Sequence, residues 1–233
     1  MFEPGGPSFV ELVRQGLSST VHGYDLLAPK FDHTPFRTPD DVLGRVVEHL
    51  RPFGPFGHAL DLCCGTGAGA GAIRPLCERV TGIDFSEGML AQARERLGED
   101  PAVQWRHGDV FETDLGGDYD LVVCFGALGH IPPLEQPQLL RRVRGVLREG
   151  GRFVFVTHTV PPWTSAARWA AEVFNATMRV RNALIKPEFI MYYLDFCLGD
   201  ALPRLEAAGL EPTVVPLGLA RAPRFYIVDA KAV

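Results

Sequence analysis

Five cysteines in 233 residues, with no C-x-x-C pair and an odd total, are too few and too irregularly spaced for a disulfide framework. Cys63, Cys64, Cys77, Cys124 and Cys197 read instead as reduced, mostly buried thiols of a cytoplasmic protein. The seven histidines are scattered, without H-E-x-x-H or a similar ligand pair, so no metal is expected. No apolar run approaches the roughly 20 residues that span a bilayer, and Met1-Phe-Glu-Pro-Gly-Gly lacks a basic region followed by an apolar core. Membrane insertion is therefore not expected. Positive charge is also in short supply: 23 Lys and Arg face 28 Asp and Glu, a net charge of -5 that argues against a basic nucleic-acid surface. The one basic run, Arg141-Arg142-Val143-Arg144 with Arg148, falls on an amphipathic pattern and reads as a solvated helix face. Internal repeats and low-complexity tracts are lacking, and Met1 to Ser8 reads as a loose leader rich in Pro and Gly.

Hydrophobic residues at 46% and charged residues at 22% suit one packed α/β domain of ordinary composition. Within it, Ala59-Leu-Asp-Leu-Cys-Cys-Gly-Thr-Gly-Ala-Gly-Ala70 carries the most information. An apolar run reaches an acid and breaks into closely spaced glycines, the pattern of a strand, a tight turn and a helix start. Glycines there admit dihedrals closed to other residues and let a ligand approach without meeting a Cβ, which points to a nucleotide-like ligand. Gly65-Thr-Gly67-Ala-Gly69-Ala70 also fits the dinucleotide fingerprint G-x-G-x-x-G/A, so other residues must decide the cofactor.

Phe9, Val10, Leu12, Val13 and Leu17 recur at helical spacing and predict a first helix. A second is expected from Thr38-Pro39-Asp40-Asp41, with Thr38 as cap, Val42, Leu43, Val46, Val47 and Leu50 as apolar stripe and Pro52 as stop. Strands are expected at His58 to Leu62, Val80 to Asp84, Ala102 to His107, Tyr119 to Phe125 and Gly151 to His158. Helices fill the gaps: from the glycine turn to about Glu78, from Ser86 to Leu97 and from Pro133 to Arg148. Strands joined by crossovers imply a parallel sheet covered on both faces. Pro161 to Leu198, helical with breaks and rich in aromatics, interrupts that rhythm. A helix at Asp200 to Ala208, ended by Gly209, is followed by strands at Glu211 to Pro216 and Arg224 to Asp229. Their connection is too short for a helical crossover, so they should pair as an antiparallel hairpin.

Ligands in open parallel sheets bind outside the carboxyl ends of the strands, and Asp61, Asp84 and Asp109 stand there. The separation of roughly 20 residues between the turn and Asp84 suits an acid accepting from ribose hydroxyls. This serves NAD and S-adenosylmethionine alike.

With these segments in order, the chain resembles the class I S-adenosylmethionine-dependent methyltransferases. Asp61-Leu-Cys-Cys-Gly-Thr-Gly67 is similar to their first motif, and Gly82-Ile-Asp84-Phe-Ser-Glu-Gly-Met89-Leu to their second-strand motif. Gly108-Asp109-Val110 resembles the adenine-binding segment, Asp120 to His130 the fourth-strand motif, and Leu147-Arg-Glu-Gly150-Gly151 the turn before strand five. Tyr24 to Asp32 is similar to an N-terminal segment of small-molecule members. The turn and the second-strand segment particularly resemble quinone-type C-methyltransferases, while later segments match less closely.

The resemblance implies a Rossmann-like, seven-stranded, mostly parallel sheet with helices on both faces, an antiparallel last strand and a helical lid insertion. Along the chain it implies an N-terminal helical cap (1–52), a cofactor-binding core (53–160), the lid (161–199), and a C-terminal helix and hairpin (200–233). Asp61 would orient the cofactor's amino group, directly or through water, while Gly65 and Gly67 would let the backbone approach its methionine part. Asp84 would hold the ribose hydroxyls, Phe85 and Met89 would flank the adenine, Asp109 would accept from its exocyclic amine and Val110 would offer it a backbone amide. Phe125 would border the methyl, and Tyr24 would close over the site. One departure is Cys63, which stands where the family has its first glycine. Neighbouring Cys63 and Cys64 are poorly placed for a disulfide and read as packing residues.

Methyl transfer is driven largely by proximity and orientation, so a base is needed only if the acceptor must lose a proton near the transition state. His130 and His158, beyond strands four and five, stand where a base could face the cleft. Trp163, Tyr192 and Tyr193 are candidate acceptor contacts, with helix packing or a homodimer contact as the equally open use of such aromatics. The expected partner is a small-molecule acceptor, with O-, N- and C-methylation all open. An NAD(P)-dependent oxidoreductase and a non-enzymatic S-adenosylmethionine-binding protein are the competing functions.

Overall fold

Alternation along the strands sorts their side chains between two apolar layers, one on each face of a sheet. In the computed structural model, which describes residues 5–233, Leu60, Leu62, Val122, Cys124, Phe153 and Phe155 fall in one buried cluster. Their neighbours Ala59, Leu121, Val123 and Val154 fall in the other. That period-two division makes every central strand apolar on both faces, as a parallel sheet requires.

The strands are β1 (Phe56–Leu62), β2 (Cys77–Asp84), β3 (Val103–His107), β4 (Tyr119–Cys124), β5 (Leu147–His158), β6 (Leu210–Pro216) and β7 (Phe225–Ala232). They lie in the order β3-β2-β1-β4-β5-β7-β6. β7 runs antiparallel to both β5 and β6, so the last strand is inserted between its predecessors. This is the expected seven-stranded Rossmann-like sheet. α6 (Gln136–Val146) and α8 (Leu198–Ala207) bring Leu139, Leu140, Val143, Ala201 and Leu205 to the first layer. α3 (Asp40–Leu50) and α4 (Ala68–Ile73) bring Val42, Val46, Leu50, Ala70 and Ile73 to the second. Among the described residues no helix is long and apolar enough to cross a membrane.

Several expectations are corrected. Part of the leader, Met1 to Pro4, lies outside the described residues, and Ser8 already caps α1 (Phe9–Gly16) in a reciprocal capping box with Glu11. The apolar stripe of α1 faces outward: Phe9, Val10, Val13 and Leu17 are exposed, and Gln15 is the buried residue. The reason is α2 (Thr20–Leu27), an element the sequence reading did not separate, whose Gly23 receives Gln15 in close contact. Thr38 does not cap α3: the boundary residue is Pro39, whose carbonyl accepts from Val42 and Leu43. The helix after the glycine turn ends at Ile73 rather than near Glu78, because Pro75 sits in a 3-10 turn and β2 starts at Cys77. α6 starts at Gln136 rather than Pro133, and Leu147 and Arg148 belong to β5, where Leu147 pairs with Tyr119. α5 (Glu87–Leu97) starts one residue late because Ser86 is its cap. The long insertion is α7 (Ala166–Leu184) followed by an irregular stretch up to α8.

Candidate active site

The sheet reverses its direction of growth between β1 and β4, and the crevice outside those two strand ends holds a cavity of about 450 Å³. Asp61, near the end of β1, is 1% exposed and its Oδ2 has no hydrogen-bond partner. A buried, unpaired carboxylate oxygen beside a cavity is costly unless a ligand or water supplies the donor. Burial pushes its carboxyl up to about 8, with the nearby charge of Asp84 adding to the rise. Asp84, at the end of β2, is held from both sides: Gly65 N donates to Oδ2 at 2.8 Å and Ser86 N to Oδ1 at 2.9 Å. Those bonds restrain a rise caused by burial, which still carries its carboxyl to about 6.

Gly65 has a φ of 53°, and a Cβ there would meet nothing within 4 Å, so the backbone lies open to the cavity. Gly67 has a different use. It does not line the cavity, and a Cβ on it would come within 2.9 Å of the Trp105 ring and 3.0 Å of Ala93, so its freedom packs the turn onto β3 and α5. Cys63 takes the left-handed conformation with a φ of 54° and faces the cavity. A hydrogen bond with Cys124 and burial hold its thiol well above the usual range, as expected of a packing residue.

Phe85, Met89, Asp109, Val110 and Phe125 complete this side of the cavity. Met89 is also 1% exposed and serves the core. Asp109 Oδ1 accepts from Phe111 N at 2.7 Å, closing a turn, and its side chain stands at the rim. Tyr24 lies over the opening against Phe85 and Phe189, and its hydroxyl is 3.4 Å from His130 Nδ1. Burial lowers the imidazole of His130 and raises the phenol of Tyr24, so both are neutral near pH 7.

Two acids that the sequence reading quoted but left without a role fasten this N-terminal cover. Asp25 Oδ1 accepts from Ser86 Oγ at 2.5 Å and Gly88 N at 3.1 Å, joining α2 to α5. Asp32 accepts from Thr66 Oγ1 at 2.7 Å and pairs with Arg96 and Arg37, joining the cover to the glycine turn. Their signal was their place in the Tyr24 to Asp32 segment.

A second cavity of about 310 Å³ adjoins the first. Both are lined by Phe36, Arg37, Thr38, Phe125, Gly126 and His130. His158 lines only the second, with Nδ1 3.1 Å from the Thr159 carbonyl oxygen, as do Tyr192 and Tyr193. Trp163 lines neither: it is 60% exposed, packed on Trp169, with the Arg168 guanidinium 4.2 Å above its ring. It lies in the seven-residue connection 159–165 between β5 and α7, outside the sheet and both cavities.

The wall of the second cavity depends on two residues the sequence reading missed. Asn175 and Asn182 are buried two turns apart on α7. Asn175 accepts from Tyr193 N at 2.8 Å and donates to Tyr193 O at 2.6 Å. Asn182 accepts from Phe189 N at 3.0 Å and donates to Phe189 O at 3.1 Å and Tyr192 Oη at 3.1 Å. Each amide thus satisfies both backbone groups of one residue in a stretch without secondary structure.

Comparison with known proteins gives this geometry a family. Residues 59–151, from β1 to the start of β5, match the methyltransferase domain family. A demethylmenaquinone methyltransferase of Clavibacter sepedonicus is 37% identical over 107 residues, 44% of this chain and 42% of that protein. A carboxy-S-adenosyl-L-methionine synthase of Chromohalobacter salexigens is 33% identical over 149 residues, 60% of this chain and 54% of that protein. Residues 59–151 thus carry a methyltransferase domain, and over that segment the chain is similar to the class I S-adenosylmethionine-dependent methyltransferases. It spans about half the length of these curated relatives. Among solved structures, the DhpI–SAH complex shares the fold with a TM-score of 0.69 and 23% identity, covering 97% of this chain and 98% of that one. The methyltransferase family match thus ends before α7, and the 191–196 wall of the second cavity lies beyond it.

Proposed function

We propose that the protein transfers a methyl group from S-adenosylmethionine to a small organic acceptor. The observation that carries this reading is the unpaired, buried Oδ2 of Asp61 beside an open glycine backbone and a second acid at the next strand end. The residues fit that cofactor. Asp61 would accept from its amino group, directly or through water, while the exposed backbone at Gly65 leaves room for the methionine part. Asp84 would accept from the ribose hydroxyls with the lone pairs left by Gly65 and Ser86. Phe85 and Met89 would flank the adenine, Asp109 would accept from its exocyclic amine and Val110 would offer its amide. When bound, the cofactor supplies a methyl on a sulfonium as the activated group.

The chain's own contribution is position and exclusion of water. Asp25 and Asp32 hold Tyr24 and its helix over the donor cavity, and Phe125 with Gly126 borders the place where the two cavities meet. Holding donor and acceptor in line there removes most of the entropic barrier to a two-body displacement. The aromatic walls keep water from competing.

Calorimetry tests the donor assignment. Heat with S-adenosylhomocysteine and none with NAD or NADP is expected; heat with a nicotinamide nucleotide alone would overturn it. Transfer of labelled methyl from S-adenosylmethionine to a metabolite panel then separates an enzyme from a protein that only binds the cofactor.

A further inference from the structure

The second cavity is separate in chemistry from the first, and it defines what an acceptor must look like. We infer that it takes the body of a flat, one- or two-ring aromatic molecule whose ionisable ring hydroxyl enters the gap between the cavities and is the atom methylated. This rests on the methyl-transfer reading of the donor site.

Size and lining fix the body. At about 310 Å³ the cavity stands at the lower end of the roughly 300–1,000 Å³ of small-molecule sites. Aromatic side chains from four separate parts of the chain line it: Phe36, Phe125, Tyr192, Phe196 and Phe225. Its outer wall is held in place by the Asn175 and Asn182 amides, so the shape exists before a ligand arrives.

Charge at the gap fixes the reacting group. Among the described residues, Arg37 is the only lysine or arginine lining either cavity, and it lines both. Its side chain is 16% exposed, whereas its partner Asp40 is 80% exposed, so water screens the acid more than the guanidinium. Its other partner, Asp32, is shared with Arg96. The other polar groups common to both cavities are Thr38 and neutral His130; no carboxylate is among them. A guanidinium beside an uncharged imidazole stabilises an anionic oxygen and repels an ammonium. Asp195, the acid of the second cavity, does not line the gap.

The reaction balances without another reagent. The hydroxyl loses its proton to solvent on ionising beside Arg37. The ring oxygen then forms the new C–O bond as the S–C bond breaks, its electron pair staying on sulfur and cancelling the sulfonium charge.

The test uses two ligands of one shape, para-nitrophenol and para-nitroaniline, titrated onto protein saturated with S-adenosylhomocysteine. The expected result is binding of the phenol at least about tenfold tighter than the aniline, with the phenolate absorption band appearing below its free-solution pH. Arg37→Met should erase both the preference and the spectral shift. Val156→Phe, which fills only the second cavity, should weaken the phenol by about tenfold and leave S-adenosylhomocysteine affinity within about twofold. Equal binding of the two ligands, preference for the aniline, binding of neither, or indifference to Val156→Phe would overturn the inference. Failure of S-adenosylhomocysteine itself to bind would instead refute the donor assignment.

Discussion

The proposed donor wall around Asp61, Gly65 and Asp84 and the proposed acceptor wall around Met191 to Phe196 meet at Phe125 and His130 but are built on opposite plans. The donor wall is made of strand ends. Each of its acids stands where an apolar strand stops, and parallel pairing of Asp61 with Gly82 and of Leu62 with Ile83 fixes its place. The acceptor wall has no ladder of its own: side-chain amides from α7 and the bond from Thr157 Oγ1 to Phe196 O do that work. Leu194 and Phe196 take the left-handed conformation there, with φ of 67° and 55°. Strand ends set the first wall; side-chain amides of a neighbouring helix set the second.

The contrast is broken most strongly by Asn182→Leu. It orphans the buried N–H and C=O of Phe189, each worth about 1–3 kcal/mol, so a loss of about 2–6 kcal/mol in urea unfolding is expected. Hydrogen exchange should quicken at residues 188–193, while S-adenosylhomocysteine affinity changes by less than about twofold. An equal loss on the donor side would mean that the two walls form one cooperative unit.

The same contrast explains what was legible in the sequence. The fold was legible because strand alternation, glycine turns and terminal acids act locally, and the same signals picked out residues that share a cavity: Asp61, Gly65, Asp84, Phe85, Met89, Asp109, Val110, Phe125 and Tyr24 all line it. Gly67 was misplaced because a glycine that admits a ligand and one that admits Trp105 look alike in sequence. The outward stripe of α1 was missed because periodicity marks an apolar face without naming its partner. Asn175 and Asn182 gave no sign, since a mid-helix asparagine has no local role that requires it. Trp163 went wrong for the related reason that aromatic content says nothing of direction.

On the donor side, Asp61→Asn should weaken S-adenosylhomocysteine by about tenfold or more, the equivalent of one charged hydrogen bond at about 1.5 kcal/mol or above. The pH dependence distinguishes lost pairing from general damage. Folding raises Asp61 to about 8 and Asp84 to about 6, from an ordinary value of 3.8. A carboxyl raised in the folded state contributes its stability fully below its unfolded pKa and loses it as pH climbs through the folded value. Stability should thus decline from about pH 4 to pH 8, and Asp61→Asn should flatten the upper half of that slope. An ammonium ligand needs ionised Asp61, so wild-type affinity should rise toward pH 8 with proton release near neutrality, visible in buffers of different ionisation enthalpy. If the variant keeps that proton release, Asp61 is not the group that pairs.

The smallest effect is expected at His130, where the two walls meet. Its Nδ1 lies by the Tyr24 hydroxyl, and the Ile190 carbonyl favours a proton on the ring against a larger effect of burial. A neutral imidazole could take a proton from an acceptor, or only complete the wall while a pre-ionised hydroxyl reacts. If Arg37 supplies the ionised acceptor, no base is needed in the transfer step. His130→Gln, which can still accept from Tyr24, should then change turnover by no more than about threefold, against the hundredfold or greater loss that removal of a general base produces. The slope of log(kcat/KM) against pH should keep the acceptor's ionisation and lack one belonging to His130. A hundredfold fall with S-adenosylhomocysteine affinity intact would make His130 the base and show that the acceptor arrives protonated.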